Sequence, residues 1–220
     1  FRAQETLEAY LKRYSVVAID GVDTRALTLK LRQQGSMKGG LSTTAADPQA
    51  FLKRVRAAPN IVGVDLVKQV TCAKPYEWSV EGSAARQGPQ VVVMDFGVKR
   101  NILRQLAAQG CRVTVVPATT PAQEILARHP EGVLLSNGPG DPAAVTYAVE
   151  TIQDLMGQVP IMGICLGHQL LGLAFGAQTV KLKFGHHGGN HPVQDLTTRK
   201  VDITSQNHNF AVDLDTLPDR

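Results

Sequence analysis

The stretch PIMGICLGHQLLGLAFG, residues 160–176, carries more information than any other part of the chain. Ile161 to Ile164 read as a strand that runs directly into Cys165, and Leu170, Leu171 and Leu173 mark the apolar face of a helix that follows at once. Gly163 and Gly167 stand two residues to either side of the cysteine. Strand, reactive side chain at a tight turn, then helix is the layout of a nucleophile elbow, described for serine hydrolases and transferred here to cysteine. Such a turn leaves little room for a Cβ beside the nucleophile, so glycine is the natural residue there. A thiol at the first turn of a helix faces the positive end of the helix dipole, which predicts a lowered pKa and a larger thiolate fraction at neutral pH. A buried core cysteine at a strand end is the plainer alternative, since free cysteine is among the most buried residue types. The paired glycines favour the nucleophile.

Working back from the elbow, the chain alternates strand and helix. Residues 91–94, 113–116 and 133–135 read as apolar strands, and residues 102–108, 122–127 and 145–155 as helices between them. Continuous apolar strands separated by amphipathic helices predict an α/β fold with a parallel sheet covered on both faces. Chemistry in such sheets gathers at the carboxyl ends of the strands. Two of these ends are rich in glycine: the elbow, and Ser136-Asn137-Gly138-Pro139-Gly140-Asp141-Pro142 after strand 133–135. The second loop is either a plain turn before a helix or, paired with the backbone N–H of Leu166, half of an oxyanion site. Its spacing fits neither a dinucleotide fingerprint nor a P-loop.

A thiolate nucleophile needs a base, and no histidine in the chain fills that role convincingly. His129-Pro130-Glu131 precedes strand 133–135 and so belongs to the amino end of the sheet, about 16 Å from the elbow at ~3.3 Å per residue. His168 lies on the elbow helix, where a structural hydrogen bond is its expected part. His186, His187 and His191 cluster in a glycine-rich segment without cysteine or carboxylate companions at ligand spacing, so no metal site is expected. His208 sits in Gln206-Asn207-His208-Asn209-Phe210, read as a polar loop after a strand at residues 201–204.

The first 75 residues read as a small α+β piece. Leu7, Leu11 and Tyr14 mark a helix, Val16 to Ile19 a strand, Asp23 the cap of a helix closed by Gly35, and Asp47-Pro48 the start of a third helix. Residues 76–89 lack periodicity and read as a linker, leaving 90–220 as the α/β domain. The 220 residues have a net charge of +4 with scattered basic positions and 5% aromatic content, which gives no nucleic-acid surface. Three widely spaced cysteines fit a reducing, cytoplasmic setting without a disulfide framework. No apolar run reaches membrane-spanning length.

Gly163 to Gln169, preceded by the Ser136–Pro142 loop, resembles the triad-type (class I) glutamine amidotransferases. Residues 21–28, 95–104, 183–192 and 206–208 are similar to the small-subunit, glutaminase family of carbamoyl phosphate synthetases, and the likeness runs over nearly the whole chain. It implies a flavodoxin-like α/β domain preceded by part of a small amino-terminal domain. It implies a cysteine thiolate that attacks the side-chain amide of glutamine, releases ammonia and leaves a thioester for water. The ammonia passes to a large synthetase subunit, the implied partner, which uses ATP and Mg with bicarbonate to make carbamoyl phosphate for arginine and pyrimidine synthesis. No cofactor is implied in the small subunit itself. By resemblance Cys165 is the nucleophile, Gly138 and Leu166 offer oxyanion N–H groups, and Gly140, Gln169, Asn207, Asn209 and Phe210 match positions that hold glutamine. Position 209 is Asn where the family has Gly, which a left-handed backbone would tolerate. The family's catalytic His and Glu lie in a Gly-His-Pro-Glu motif that the 220 residues do not contain, so they are expected to hold the nucleophile without its base. The glutaminase of another amidotransferase, of the anthranilate or aminodeoxychorismate type, and a non-catalytic subunit that keeps the fold are the alternatives.

Overall fold

Strands with apolar residues on both faces need cover on both sides, and that requirement organises the larger part of the molecule. A computed structural model describes residues 3–79 and 88–218. The chain divides into two units, residues 1–60 and 61–220.

The second unit holds a five-stranded sheet in the order β1-β3-β2-β4-β5, with β1 at Tyr76–Trp78, β2 at Gln90–Asp95, β3 at Arg112–Pro117, β4 at Gly132–Leu135 and β5 at Ile161–Gly163. The last four run parallel; β1 joins the edge antiparallel to β3, Tyr76 opposite Val115. Helices α4 (Arg100–Ala108), α5 (Ala122–Leu126), α6 (Thr146–Leu155) and α7 (Leu166–Ala174) supply the cover. Alternation along β2 splits the core: Val92 and Met94 pack with Ile125, Ile152 and Leu170 of α5, α6 and α7, while Val93 packs with Leu103 of α4. This is the α/β architecture expected, and the order β3-β2-β4-β5 is that of a flavodoxin-like sheet.

Two assignments change here. Residues 76–78, read as linker, are the edge strand β1, because the exposed edge of β3 offers unpaired backbone groups to an extended segment. The compact unit that carries β1 begins at Ile61; residues 80–87 of the linker lie outside the described residues. The second change is a long antiparallel ribbon, β6 (Gln178–Gln194) with β7 (Val201–Asp213). The histidines at 186, 187 and 191 lie on β6, and residues 206–210 are strand rather than loop. Register shifts between Lys181 and His186 and between Gly188 and His191 absorb the irregular sequence of β6.

In the first unit, α1 (Leu7–Arg13), α2 (Thr24–Gln34) and α3 (Pro48–Ala57) form as their caps dictate. Asp23 Oδ1 accepts from the Ala26 N–H at 2.9 Å, Gly35 closes α2 at φ 90°, and Asp47 Oδ1 accepts from the Gln49 N–H at 2.8 Å. Residues 16–19, expected as a strand, have no regular structure and belong to no sheet among the described residues. Without a partner an apolar run has no ladder to join. None of the three helices has a buried residue.

Candidate active site

Parallel pairing of β2, β4 and β5 brings three carboxyl ends side by side: the turn after Asp95, the loop after Leu135 and the elbow after Gly163. The sheet changes direction of growth between β2 and β4, which is where ligands bind in open α/β sheets.

Cys165 sits at φ 53° and ψ −108°, a conformation that costs a residue with a side chain on the order of 1–3 kcal/mol. Its surroundings enforce it. The Ile164 N–H donates to Leu135 O at 3.0 Å, and the Gly167 N–H donates to Ser136 O at 3.1 Å. A Cβ at Gly163 would lie 2.5 Å from the His168 nitrogen, and one at Gly167 would lie 2.2 Å from Leu135 O. Both elbow glycines are thus required by backbone-to-backbone packing. The Cys165 S–H faces Asn207 O at 3.8 Å.

The thiol pKa moves opposite to the expected fall. Burial pushes Cys165 up, against the Leu166 N–H hydrogen bond and the Lys99 ammonium, which both favour the thiolate. Removing the thiolate from water outweighs the helix start. Cys72 is pushed up to about 11, by burial and then by the neighbouring Asp95 carboxylate. Alkylation followed against pH with peptide mapping should therefore show Cys165 reacting with a midpoint above the ordinary thiol value of 9.0. A Cys165 midpoint on the acid side of 9.0 contradicts the burial argument.

The glycine loop packs against the elbow. A Cβ at Gly138 would stand 2.3 Å from Phe96 O and 2.7 Å from Leu166 Cδ2, so only glycine lets this backbone approach both. Gly140 has φ +95°, with Val64 O 3.0 Å from where a Cβ would be. Asp95 organises the turn after β2: its Oδ1 accepts from Gly97 and Val98 N–H at 2.9 and 2.8 Å, and its Oδ2 from Cys72 N–H at 2.8 Å.

A cavity of about 840 Å³ opens here, lined among others by Cys165, Gly138, Gly140, Gln169, Asn207, Asn209 and Phe210. Every expected substrate or nucleophile position except Leu166 lines it; Leu166 is buried and presents its backbone N–H to the sulfur. Gln169 is itself structural in part, its Nε2 donating to Phe210 O at 2.7 Å and so tying β7 to α7. Asn209 lies within β7 and is not among the residues with positive φ, so it needs no left-handed backbone. Lys99 and Asn137 also line the cavity and had no assigned part. Lys99 was findable as the residue two beyond Gly97 in a strand-end turn.

The histidines divide by position. His168 lines the cavity. His208 has both ring nitrogens engaged, Nδ1 with Phe210 O at 2.7 Å and Nε2 with His186 Nδ1 at 3.1 Å. His129 and Glu131 sit at the amino end of the sheet, where the Glu131 N–H donates to Gln90 O at 2.8 Å. A thiol on a strained turn, with the Leu166 N–H beside it and an open cavity in front, suits addition of sulfur to an acyl carbon.

The family model for glutamine amidotransferase class-I matches residues 92–220, and that for the carbamoyl-phosphate synthase small chain CPSase domain matches residues 1–41. The carbamoyl phosphate synthase small chain of Syntrophotalea carbinolica is 54% identical, over 97% of this chain and 59% of that protein. The small chain of Neisseria meningitidis is 55% identical over 99% of this chain and 60% of that protein, and the chloroplastic small chain of Oryza sativa is 52% identical over 100% and 51%. The chain thus spans between about half and three fifths of these relatives' length. Among solved structures, a protein from Thermoplasma acidophilum assigned to GMP synthase has a TM-score of 0.51 and 25% identity, over 60% of this chain and 69% of that one. With the elbow, the glycine loop and the cavity on one sheet edge, and the family model spanning that whole α/β unit from β2 onward, the chain belongs to the class I glutamine amidotransferases.

Proposed function

We propose that this chain is the glutamine-hydrolysing part of a carbamoyl phosphate synthetase small chain. The observation that carries the reading is Cys165 on a strained elbow that opens onto the cavity, within a chain 52–55% identical to carbamoyl phosphate synthase small chains. In this reading the Cys165 thiolate attacks the side-chain amide carbon of glutamine. The backbone N–H groups of Gly138 and Leu166 receive the oxyanion; ammonia leaves, and water hydrolyses the thioester to glutamate.

The raised thiol pKa means that the proton must be taken up as sulfur attacks. His208 is poorly placed to take it, since both its ring nitrogens are engaged. The base is assigned to the remainder of the full-length protein, which in the relatives is substantially longer. Gly140, Gln169, Asn207, Asn209 and Phe210 shape the glutamine site. The ammonia goes to a large synthetase subunit, where ATP and Mg are used; the small chain needs no cofactor of its own, and the complex works in the cytoplasm. Among the described residues no helix is long and apolar enough to cross a membrane.

The test uses the full-length protein with its large partner and amide-labelled [15N]glutamine. Labelled carbamoyl phosphate and stoichiometric glutamate are the expected products. Glutamate release with nitrogen transfer to a different acceptor places the chain with another amidotransferase, and no glutamate at all makes it a non-catalytic relative.

A further inference from the structure

One side chain beside the elbow does more than line the cavity. Asn137 Oδ1 accepts from the Lys99 N–H at 3.1 Å, and its Nδ2 donates to Gly97 O at 3.0 Å. It therefore grips both ends of the short turn after β2. Just before it, the fully buried Ser136 hydroxyl accepts from the Phe96 N–H at 2.9 Å and donates to Asn137 O at 2.9 Å. Between these ties the two backbones lie in direct contact, with Phe96 O 2.3 Å from where a Gly138 Cβ would stand and Pro139 Cδ 3.2 Å from that of Gly97.

Both joined segments bear on Cys165. Gly138 packs on Leu166, and Lys99 lines the same cavity as the sulfur. We propose that Asn137 is a positioning residue for the thiol: its forked amide locks the Lys99 turn to the Gly138 loop, so that the cation and the oxyanion N–H keep fixed places beside Cys165. The role needs an amide. One acceptor and one donor on a single short fork match an N–H and a carbonyl at once, whereas Asp offers only acceptors and Ala neither. The Lys99 ammonium stabilises the thiolate, so a turn released from Asn137 weakens that help. The proposal rests on the glutaminase reading for its kinetics but not for its effect on the thiol.

The test compares Asn137→Ala and Asn137→Asp with the wild type in the full-length protein, each checked for folding by circular dichroism. The expected result is a fall in kcat for glutamine hydrolysis of about 10- to 100-fold with KM within about twofold, because loss of positioning acts on the reacting geometry. The pH midpoint of Cys165 alkylation should also move upward, which a merely structural tie remote from the thiol would not do. If Asn137→Ala does not fold, the nearly isosteric Asn137→Asp decides on the same two readouts. A folded variant with wild-type kcat, or with an unmoved alkylation midpoint, overturns the proposal. Should the wild type release no glutamate while the midpoint still moves in the variants, the glutaminase reading fails and the positioning of the thiol stands.

Discussion

Cys165→Ser in the full-length protein should lower glutamine hydrolysis by on the order of a millionfold, leaving only the residual rate that binding and oxyanion donors sustain without a competent nucleophile. The substitution keeps the size of the side chain and the elbow backbone, so the fold is unaffected. A serine hydroxyl is a far weaker acid than a thiol, and the burial that raises the thiol opposes its ionisation as well. On the proposed reading, synthesis supplied with free ammonia should continue in the complex with the large partner, because it bypasses the thiol. Paired assays with glutamine and with ammonium measure both. Glutamine hydrolysis within tenfold of wild type would sink the assignment of Cys165.

The second large effect concerns Gly167. In an ordinary helix interior, Gly→Ala stabilises by about 1 kcal/mol. Here the sign should reverse. The new Cβ would lie 2.2 Å from Leu135 O and 2.6 Å from Leu135 C, both backbone atoms of strand β4. Neither can rotate away, so β4 and α7 must separate or the elbow must open. A loss of stability on the order of 3 kcal/mol is expected from such overpacking. Urea unfolding of the full-length Gly167→Ala protein measures it; a stability equal to or above wild type would show that the elbow is not packed as described.

How much of this was written in the sequence depends on the range of the interactions involved. The elbow was legible because its signal is local: a strand, Cys165 and two glycines within five residues. Asp23 and Asp47 were legible as caps for the same reason, each bonding to N–H groups two or three residues on. Tyr76–Trp78 was not, since a three-residue strand is defined only by β3, which begins at Arg112. Val16 to Ile19 failed in the opposite sense: the residues suit a strand, and no partner is present among the described residues. Residues 206–209 are polar and carry no helix or strand period, yet pairing of this segment with β6 makes it strand. Lys99 and Asn137 became part of the site through strand order alone, when β2 and β4 were laid side by side. The thiol pKa misled because the helix start is visible in sequence while the desolvation that overrides it is a property of the packed state.

The φ of 53° at Cys165 sets two selective pressures against each other. Glycine adopts that backbone without penalty, so the residue that makes the fold more robust at position 165 is the one that ends the proposed reaction. A lineage that still depends on ammonia from glutamine must keep the less comfortable residue and draw on the neighbouring Gly163 and Gly167 packing to hold it. A lineage that has ceased to need it is free to drift, and drift at this codon runs downhill toward glycine. The identity of a single residue on this turn therefore serves as a record of whether the chemistry is still under selection.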